Sequence, residues 1–351
     1  MPIILPPLAD LSSLPFDTII DVRSPAEYAE DHIPGAINLP ALSNEERHEV
    51  GTIYKQQSPF VAKKLGAALV ARNVAGHLLG PLSQMSGGWR PLVYCWRGGQ
   101  RSGSFAIILG QIGWRVDTVS GGYKAYRSQV VSALNDTAFP APLVVLDGNT
   151  GSAKTDILNL LPGFGLQVLD LEGLARHRGS LFGGMSGGQP EQKGFDTALA
   201  LQIARLDPAR PVVVEAESSK VGNIRLPVQL WKAMQSAPRV ALSVPALARA
   251  RYLTRAYGDL IADPARLAGI IGQLRPAHAA EVIEGWQAMA AGGHYESLAA
   301  SLMDQHYDPR YRKHRARVAE GRFAEIAAER LDLSDLPDVA ARVAGAVRAL
   351  V

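Results

Sequence analysis

The sequence predicts an α/β protein of two domains, each built on a parallel sheet. Its 351 residues exceed what one ordinary domain uses. Apolar residues make up 47% of the chain and charged residues 20%, enough for two packed cores and too apolar for long disordered tracts. Short apolar runs rich in Val, Ile and Leu alternate with helix-period segments in both halves, the order that builds parallel sheets covered by helices.

In the first half, Thr18 to Val22 reads as a buried strand, Pro25 to Glu30 as a short helix, and Ala36 to Leu39 as a strand after the turn at Pro34 and Gly35. Val61 to Ala75 has helical spacing. Leu92 to Tyr94 is a strand that delivers Cys95, Ser102 to Ile112 is helical, Val116 to Val119 is a strand, and Gly121-Gly122 turns into a helix from Tyr123 to Leu134. The polar, twice-proline stretch NDTAFPAPL reads as a linker, giving domains 1–137 and 138–351. The second half restarts with strand Leu143 to Leu146, a glycine-rich turn from Gly148 and a helix from Lys154. Strands at Gln167 to Asp170 and Val212 to Glu215, a helix at Pro227 to Ser236 and a strand at Val240 to Val244 follow. From Ala246 onward the pattern is mostly helical, with an arginine-rich surface. Such sheets gather their loops at the strand carboxyl ends, where ligands bind.

The net charge of +3 and pI near 8.9 are mild, so nucleic-acid binding has to come from local clusters. A single cysteine forms no internal disulfide, and no signal-peptide pattern opens the chain, so a cytoplasmic location is expected. No apolar run is long enough to span a bilayer, so no membrane partner is expected.

That cysteine, Cys95, stands in PLVYCWRGGQRSGSFAIILG, between a strand and a helix. A loop in this position turns successive amides inward, and the helix start, Arg97 and Arg101 add positive charge. The expectation is an exposed thiolate with a pKa lowered to roughly 3.5–7.5, in a cradle that Gly98 and Gly99 let close around an oxyanion. These residues, with DVRSPAEYAEDHIPGAINLP and GGYKAYR, occur in the order found in the rhodanese family, which residues 12–135 resemble. The resemblance implies a rhodanese-like parallel-sheet domain that carries sulfur or selenium on Cys95. Five residues separate Cys95 from Arg101, one more than in the commonest sulfurtransferases, so a wider cradle suited to selenium or a phosphoryl group is expected. The spacing also matches the CxxxxxR signature of cysteine phosphatases, although Tyr94 stands where their histidine would be and no general-acid loop is evident. A buried, inert cysteine is the remaining alternative. His32 reads as a loop-capping residue.

The run VVLDGNTGSAKTDIL places Gly148, Gly151, Ser152, Lys154 and Thr155 between a strand and a helix, the context of a phosphate-binding loop. Ala153 stands where GxxxxGK[ST] has glycine, so no ATP hydrolysis is expected. The alternative is an ordinary strand-to-helix turn with a capping threonine. The strand end at Glu215 and Glu217 is a candidate site for Mg2+ or substrate. Between these elements, DLEGLARHRGSLFGGMSGGQP reads as a mobile, ligand-closing loop, with Arg178 a phosphate contact. Arg249, Arg251 and Arg255 are expected on one helical face, and Arg310, Arg312, Lys313 and Arg315 cluster around Tyr311. Arginines that track phosphates beside a tyrosine that stacks on bases suit single-stranded or loop RNA; a solvated helix surface is the alternative.

A rhodanese-like domain followed by NTGSAKT, LEGLARHRGSLFG and EAESSKVGNIRLP resembles the tRNA 2-selenouridine synthase family over nearly the whole chain. The resemblance implies a C-terminal P-loop-type α/β domain with a helical extension, and a cytoplasmic transferase. It further implies replacement of sulfur by selenium in wobble 2-thiouridine of tRNA, through an S-geranyl intermediate, with geranyl diphosphate and selenophosphate as co-substrates. A selenophosphate source enzyme would be a partner. Two alternatives share parts of this reading: a rhodanese-type sulfurtransferase acting on tRNA, and an ATP-dependent kinase-like enzyme with a regulatory rhodanese domain.

Overall fold

A computed structural model describes residues 2–315 and 322–351, without the side chains of 312–315. The chain divides into two units, Met1–Asp136 with Glu191–Arg205, and Thr137–Pro190 with Leu206–Val351.

The first unit is a parallel five-stranded sheet of β1 (Pro2–Ile3), β2 (Thr18–Asp21), β3 (Ala36–Asn38), β4 (Pro91–Tyr94) and β5 (Asp117–Val119), in the order β1-β5-β4-β2-β3. β4 lies in the middle and all four of its residues are buried, which explains its unbroken apolar run. Ile20, Val22, Val70, Val74, Val93, Phe105 and Leu109 share one core with Cys95. The expected helices occur as Pro25–Glu30, Pro59–Leu79, Gln100–Gln111 and Gly122–Asn135. Helix Asn44–Gln56, which was not expected, is started by a capping box between Ser43 and Glu46.

Beneath the sheet's carboxyl edge, Arg23 is fully buried and donates to Asp21 from Nε and Nη2 and to the Asp31 carbonyl from Nη2. Its guanidinium lies 3.8 Å from the Tyr123 ring centroid. Helix Gln192–Ala204 comes from sequence beyond the linker and packs on Gly122–Asn135 in this unit. Thr197 and Tyr123 both donate to Asp31, at 2.9 and 2.7 Å, and Arg127 pairs with Asp196.

The second unit is also a parallel five-stranded sheet: β6 (Leu143–Gly148), β7 (Gln167–Leu169), β8 (Val212–Glu215), β11 (Arg239–Ser243) and β12 (Phe323–Ala327), ordered β12-β11-β6-β8-β7. Strands β9 (Lys220–Val221) and β10 (Ile224–Arg225) form a separate antiparallel hairpin. Edge strand β12 was not expected within a helical tail. Helix Leu336–Leu350 buries Val339, Val343 and Val347 against the core that also holds Ile157 and Leu158 of Lys154–Leu160. A second core, around Trp286, Ile271 and Leu298, holds together the helices of the segment Gly258–Leu302. Among the described residues, no helix is long and apolar enough to cross a membrane.

Candidate functional site

Each unit carries one constellation at the carboxyl end of a central strand. In the first, β4 ends at Tyr94 and Cys95 follows. Helix Gly122–Asn135 begins beside the loop, and its first amides bond loop carbonyls: Tyr123 N to Cys95 O at 2.8 Å and Lys124 N to Trp96 O at 2.9 Å. With those carbonyls held outward, the amides of Arg97, Gly99 and Ser102 face the sulfur. This close approach requires glycine at 122, where φ is +58° and an added Cβ would sit 2.3 Å from Cys95 O and 2.5 Å from Gly98 N. The GGYK stretch of the rhodanese resemblance therefore shapes the cysteine loop.

Sγ accepts from Gly99 N at 3.3 Å and from the Ser102 hydroxyl at 3.2 Å. Burial opposes the thiolate, but the Ser102 hydroxyl and the amides of Ser102, Gly99 and Arg97 outweigh it and hold the thiol below its ordinary pKa. Two features differ from expectation. Cys95 is not exposed: only 3% of it is accessible, because it sits at the end of a central strand in the core with Phe105 and Leu109. Nor do two guanidiniums grip the sulfur. Arg101 pairs with Glu27 (Nη1 to Oε2, 2.8 Å), which also accepts from Arg47 and the Ser24 amide, while Arg97 is exposed. Burial works against the Glu27 charge, and Arg101 more than compensates to keep its carboxyl below the usual range. An arginine held this way is not turned toward the thiol as a phosphatase would need. His32 bonds the Tyr28 carbonyl and stacks on the Tyr28 ring, a loop-supporting place.

In the second unit, the loop after β6 carries Gly148, Gly151, Ser152, Lys154 and Thr155. An added Cβ on Gly148 would meet Ser152 Oγ at 2.3 Å, and Gly151 takes φ +82° against Leu253 and the Arg249 carbonyl. Ala153 adopts φ +57° and ψ +29°, so the loop keeps a left-handed residue there despite the methyl. Lys154 Nζ donates to the loop carbonyls of Gly148 (2.9 Å) and Asn149 (3.4 Å). Thr155 donates to Glu172 at 2.6 Å.

Gly151, Ser152, Lys154, Thr155 and Glu172 line a cleft of about 380 Å³ that also holds Asp170, Arg178, Glu217, Arg255, Tyr257 and Tyr311. Arg178 lies over the Tyr257 ring and donates to Asp259 at 3.0 Å, while its Nη1 is buried without a hydrogen-bond partner among the described residues. That free donor suits an anion in the cleft. Burial and the neighbouring Glu172 charge push Glu217 up to about 8, with Lys154 pulling the other way. Glu215 serves otherwise. It is fully buried, accepts from the amides of Leu171 (3.0 Å) and Glu172 (3.3 Å), and is held well above the carboxylate range by burial and Asp170. Among the described residues, no group of three or more His, Cys, Asp or Glu side chains is placed to hold a metal ion.

Within the glycine-rich loop, Arg178 N bonds Gly183 O at 2.9 Å, Gly183 N bonds Ser180 O at 2.8 Å, and Phe182 is buried in the helical core. Of the arginines of Ala246–Ala256, Arg251 and Arg255 share an exposed face, while Arg249 is turned inward. Arg249 is 5% exposed, pairs with Asp308 and donates to Thr150 O. Arg255 is exposed, donates to Leu331 O and lines the cleft, and Arg251 is exposed 3.8 Å from Glu296. Tyr311 also lines the cleft, with its ring centroid 5.9 Å from Lys154 Nζ, and Arg310 bonds His306. The side chains of Arg312, Lys313 and Arg315 lie outside the described residues. Sequence reasoning did not select Glu172 or Tyr257 as site residues; the ExxxRH composition of the loop that starts at Glu172 was the only signal for the first.

An amide-lined cysteine after one parallel strand, and a strand-loop-helix phosphate cleft after another, define a fusion of a rhodanese-like domain with a phosphate-loop domain. Residues 8–129 match the rhodanese-like domain and residues 141–290 the tRNA 2-selenouridine synthase AAA domain. Curated proteins called tRNA 2-selenouridine synthase are similar in sequence. That of Nitrosomonas europaea is 39% identical over 66% of this chain and 61% of its own length. That of Aeromonas salmonicida is 38% identical over 72% and 68%, and that of Hahella chejuensis 32% identical over 84% of each. The chain thus spans about two thirds of the first two relatives, and belongs to the tRNA 2-selenouridine synthase family.

Proposed function

We propose that the protein replaces sulfur by selenium in a tRNA 2-thiouridine in two chemical steps, one at each constellation. The observation that carries this reading is the pairing, in one chain, of a thiol stabilised as an anion with a cationic phosphate cleft. The C2 carbon of 2-thiouridine is a poor electrophile with a poor leaving group. In the first step the thiocarbonyl sulfur attacks C1 of geranyl diphosphate, a C–S bond forms as the C–O bond breaks, diphosphate departs, and the N3 proton of the base is released to solvent. Lys154, Arg178 and the amides of the Gly148–Thr155 loop stabilise the leaving charge, so no nucleotide hydrolysis is needed. Glu172 and Glu217 line the cleft and would be the carboxylates to hold a Mg2+ accompanying the diphosphate, which would supply charge neutralisation of the leaving group.

In the second step selenium from selenophosphate attacks C2 and geranyl thiol leaves; water breaks the P–Se bond and releases phosphate. Cys95 receives or guides the selenium, and the loop amides of Arg97, Gly99 and Ser102 grip the anionic guest, with the exposed Arg97 side chain at the entrance. Selenium in selenophosphate is already fully reduced. Direct passage to C2 therefore needs no oxidant, whereas an S–Se bond on Cys95 needs a two-electron oxidant, and no second cysteine is present to resolve it. Guiding is the simpler role. The RNA is held by Arg251, Arg310 and the basic segment around Tyr311.

The test is mass spectrometry of thiolated tRNA incubated with the protein and with geranyl diphosphate, selenophosphate, both or neither. Geranyl diphosphate alone should yield the S-geranyl base, and both together the seleno base. Selenation that proceeds without geranyl diphosphate would exclude the two-step route, and thiolation from persulfide would favour the sulfurtransferase.

A further inference from the structure

The second unit contains an apolar cavity of about 80 Å³ beside the phosphate cleft; Thr150, Ser180, Leu253 and Tyr257 line both. Its remaining walls come from Phe182, Leu260, Leu267 and the helix Tyr295–Leu302, which contributes Leu298, Ala299 and Leu302. The phosphate loop is packed directly on this wall: a Cβ on Gly151 would lie 2.9 Å from Leu253 Cγ, and Arg249 ties Thr150 O at 3.1 Å to Met303 Sδ at 3.3 Å. The cavity opens to the surface, and apolar walls of this kind hold water poorly and are stabilised by an apolar occupant. Its position gives it a use. A ligand whose anionic head occupies the phosphate cleft would put an attached hydrocarbon chain here.

We propose that this cavity receives the isoprenoid tail of the allylic diphosphate and that helix Tyr295–Leu302 sets the length of tail accepted. The inference rests on the reading of the cleft as a prenyl diphosphate site and adds the residues that hold the tail. Each methylene of tail moved out of water is worth roughly fourfold in affinity, so tail length and cavity shape together dominate selection among diphosphates. Ala299 is half-buried on that wall, and a larger side chain there fills the cavity without breaking a polar contact.

The test is calorimetric binding to the full chain of four probes: inorganic diphosphate, dimethylallyl diphosphate, geranyl diphosphate and farnesyl diphosphate. The wild-type protein should bind geranyl diphosphate at least tenfold more tightly than inorganic diphosphate. Ala299→Phe should lose at least tenfold for geranyl diphosphate and stay within about twofold for inorganic diphosphate, and Leu298→Ala should shift preference toward farnesyl diphosphate. A diphosphate with a benzophenone-bearing tail, photolysed on the wild-type protein, should crosslink within 253–261 or 295–303, a readout that needs no variant to fold. Geranyl diphosphate bound tightly by wild type and equally by a folded Ala299→Phe, or crosslinks mapping elsewhere, would overturn the tail placement. Wild-type protein that binds neither geranyl diphosphate nor inorganic diphosphate would instead overturn the reading of the cleft itself.

Discussion

Replacing Ser102 by Ala tests how the Cys95 thiolate is stabilised. The Ser102 hydroxyl donates to Sγ at 3.2 Å inside a buried site, alongside the Gly99 amide at 3.3 Å. Hydrogen bonds to charged groups are worth about 1.5–3 kcal/mol, and sulfur, a weak acceptor, belongs at the low end. One pKa unit corresponds to about 1.4 kcal/mol, so Ser102→Ala should raise the Cys95 pKa by about one unit. The remaining amides still favour the anion. At any pH below both values the thiolate fraction, and with it the rate of alkylation by iodoacetamide, should fall about tenfold. The assay is that rate as a function of pH for wild type, Ser102→Ala and Arg101→Met, with circular dichroism to confirm folding. Because Arg101 is engaged with Glu27, Arg101→Met should move the alkylation midpoint far less than Ser102→Ala. A midpoint unchanged in Ser102→Ala, or one shifted mainly by Arg101→Met, would refute stabilisation by amides and hydroxyl.

Glu217, pushed up to about 8, is neutral in the folded unit at pH 7 but ionised in the unfolded chain, so its contribution is complete below about pH 4 and is lost as pH rises toward 8. Glu217→Gln should flatten urea-melt stability across that window; an unchanged pH slope would place the proton elsewhere. Ala153→Gly relieves a left-handed alanine worth about 1–2 kcal/mol while adding about 0.5–1 kcal/mol of glycine entropy, for a net gain of up to about 1.5 kcal/mol in a chemical melt, and a loss would show that the methyl packs productively. Arg249→Met leaves the half-buried Asp308 carboxylate without its partner and should cost about 1–3 kcal/mol, whereas exposed Arg251→Ala should stay within about 0.5 kcal/mol yet weaken tRNA binding; equal stability costs would contradict their separate placement.

The central strands could be read from sequence because they are buried on both faces and bounded by turn residues: β4, β6 and β8 are buried throughout and stand out as apolar runs. The cysteine loop and phosphate loop were legible because both are short local motifs between a strand and a helix. Features that depend on distant partners were not. Strand β12, with the sequence FAEIA, is half exposed at a sheet edge and becomes a strand only by pairing with β11. Helix Gln192–Ala204 owes its place to Asp31, 166 residues from Thr197, and Asp308, 59 residues along the chain from Arg249, turns that arginine inward. The pairing of Arg101 with Glu27 spans 74 residues, which is why charge near the cysteine was legible and its direction was not. The apolar cavity collects side chains from Thr150 to Tyr307, beyond the reach of any local periodicity.

Nucleoside mass spectrometry of thiolated tRNA treated with geranyl diphosphate and selenophosphate, comparing Cys95→Ala with Lys154→Ala, tests the division of labour most directly. Cys95→Ala should accumulate the S-geranyl base and form no seleno base, while Lys154→Ala should be slowed at geranylation and still convert a tRNA supplied already geranylated. If Cys95→Ala selenated at the wild-type rate, or lost geranylation as well, the assignment of one step to each constellation would be wrong.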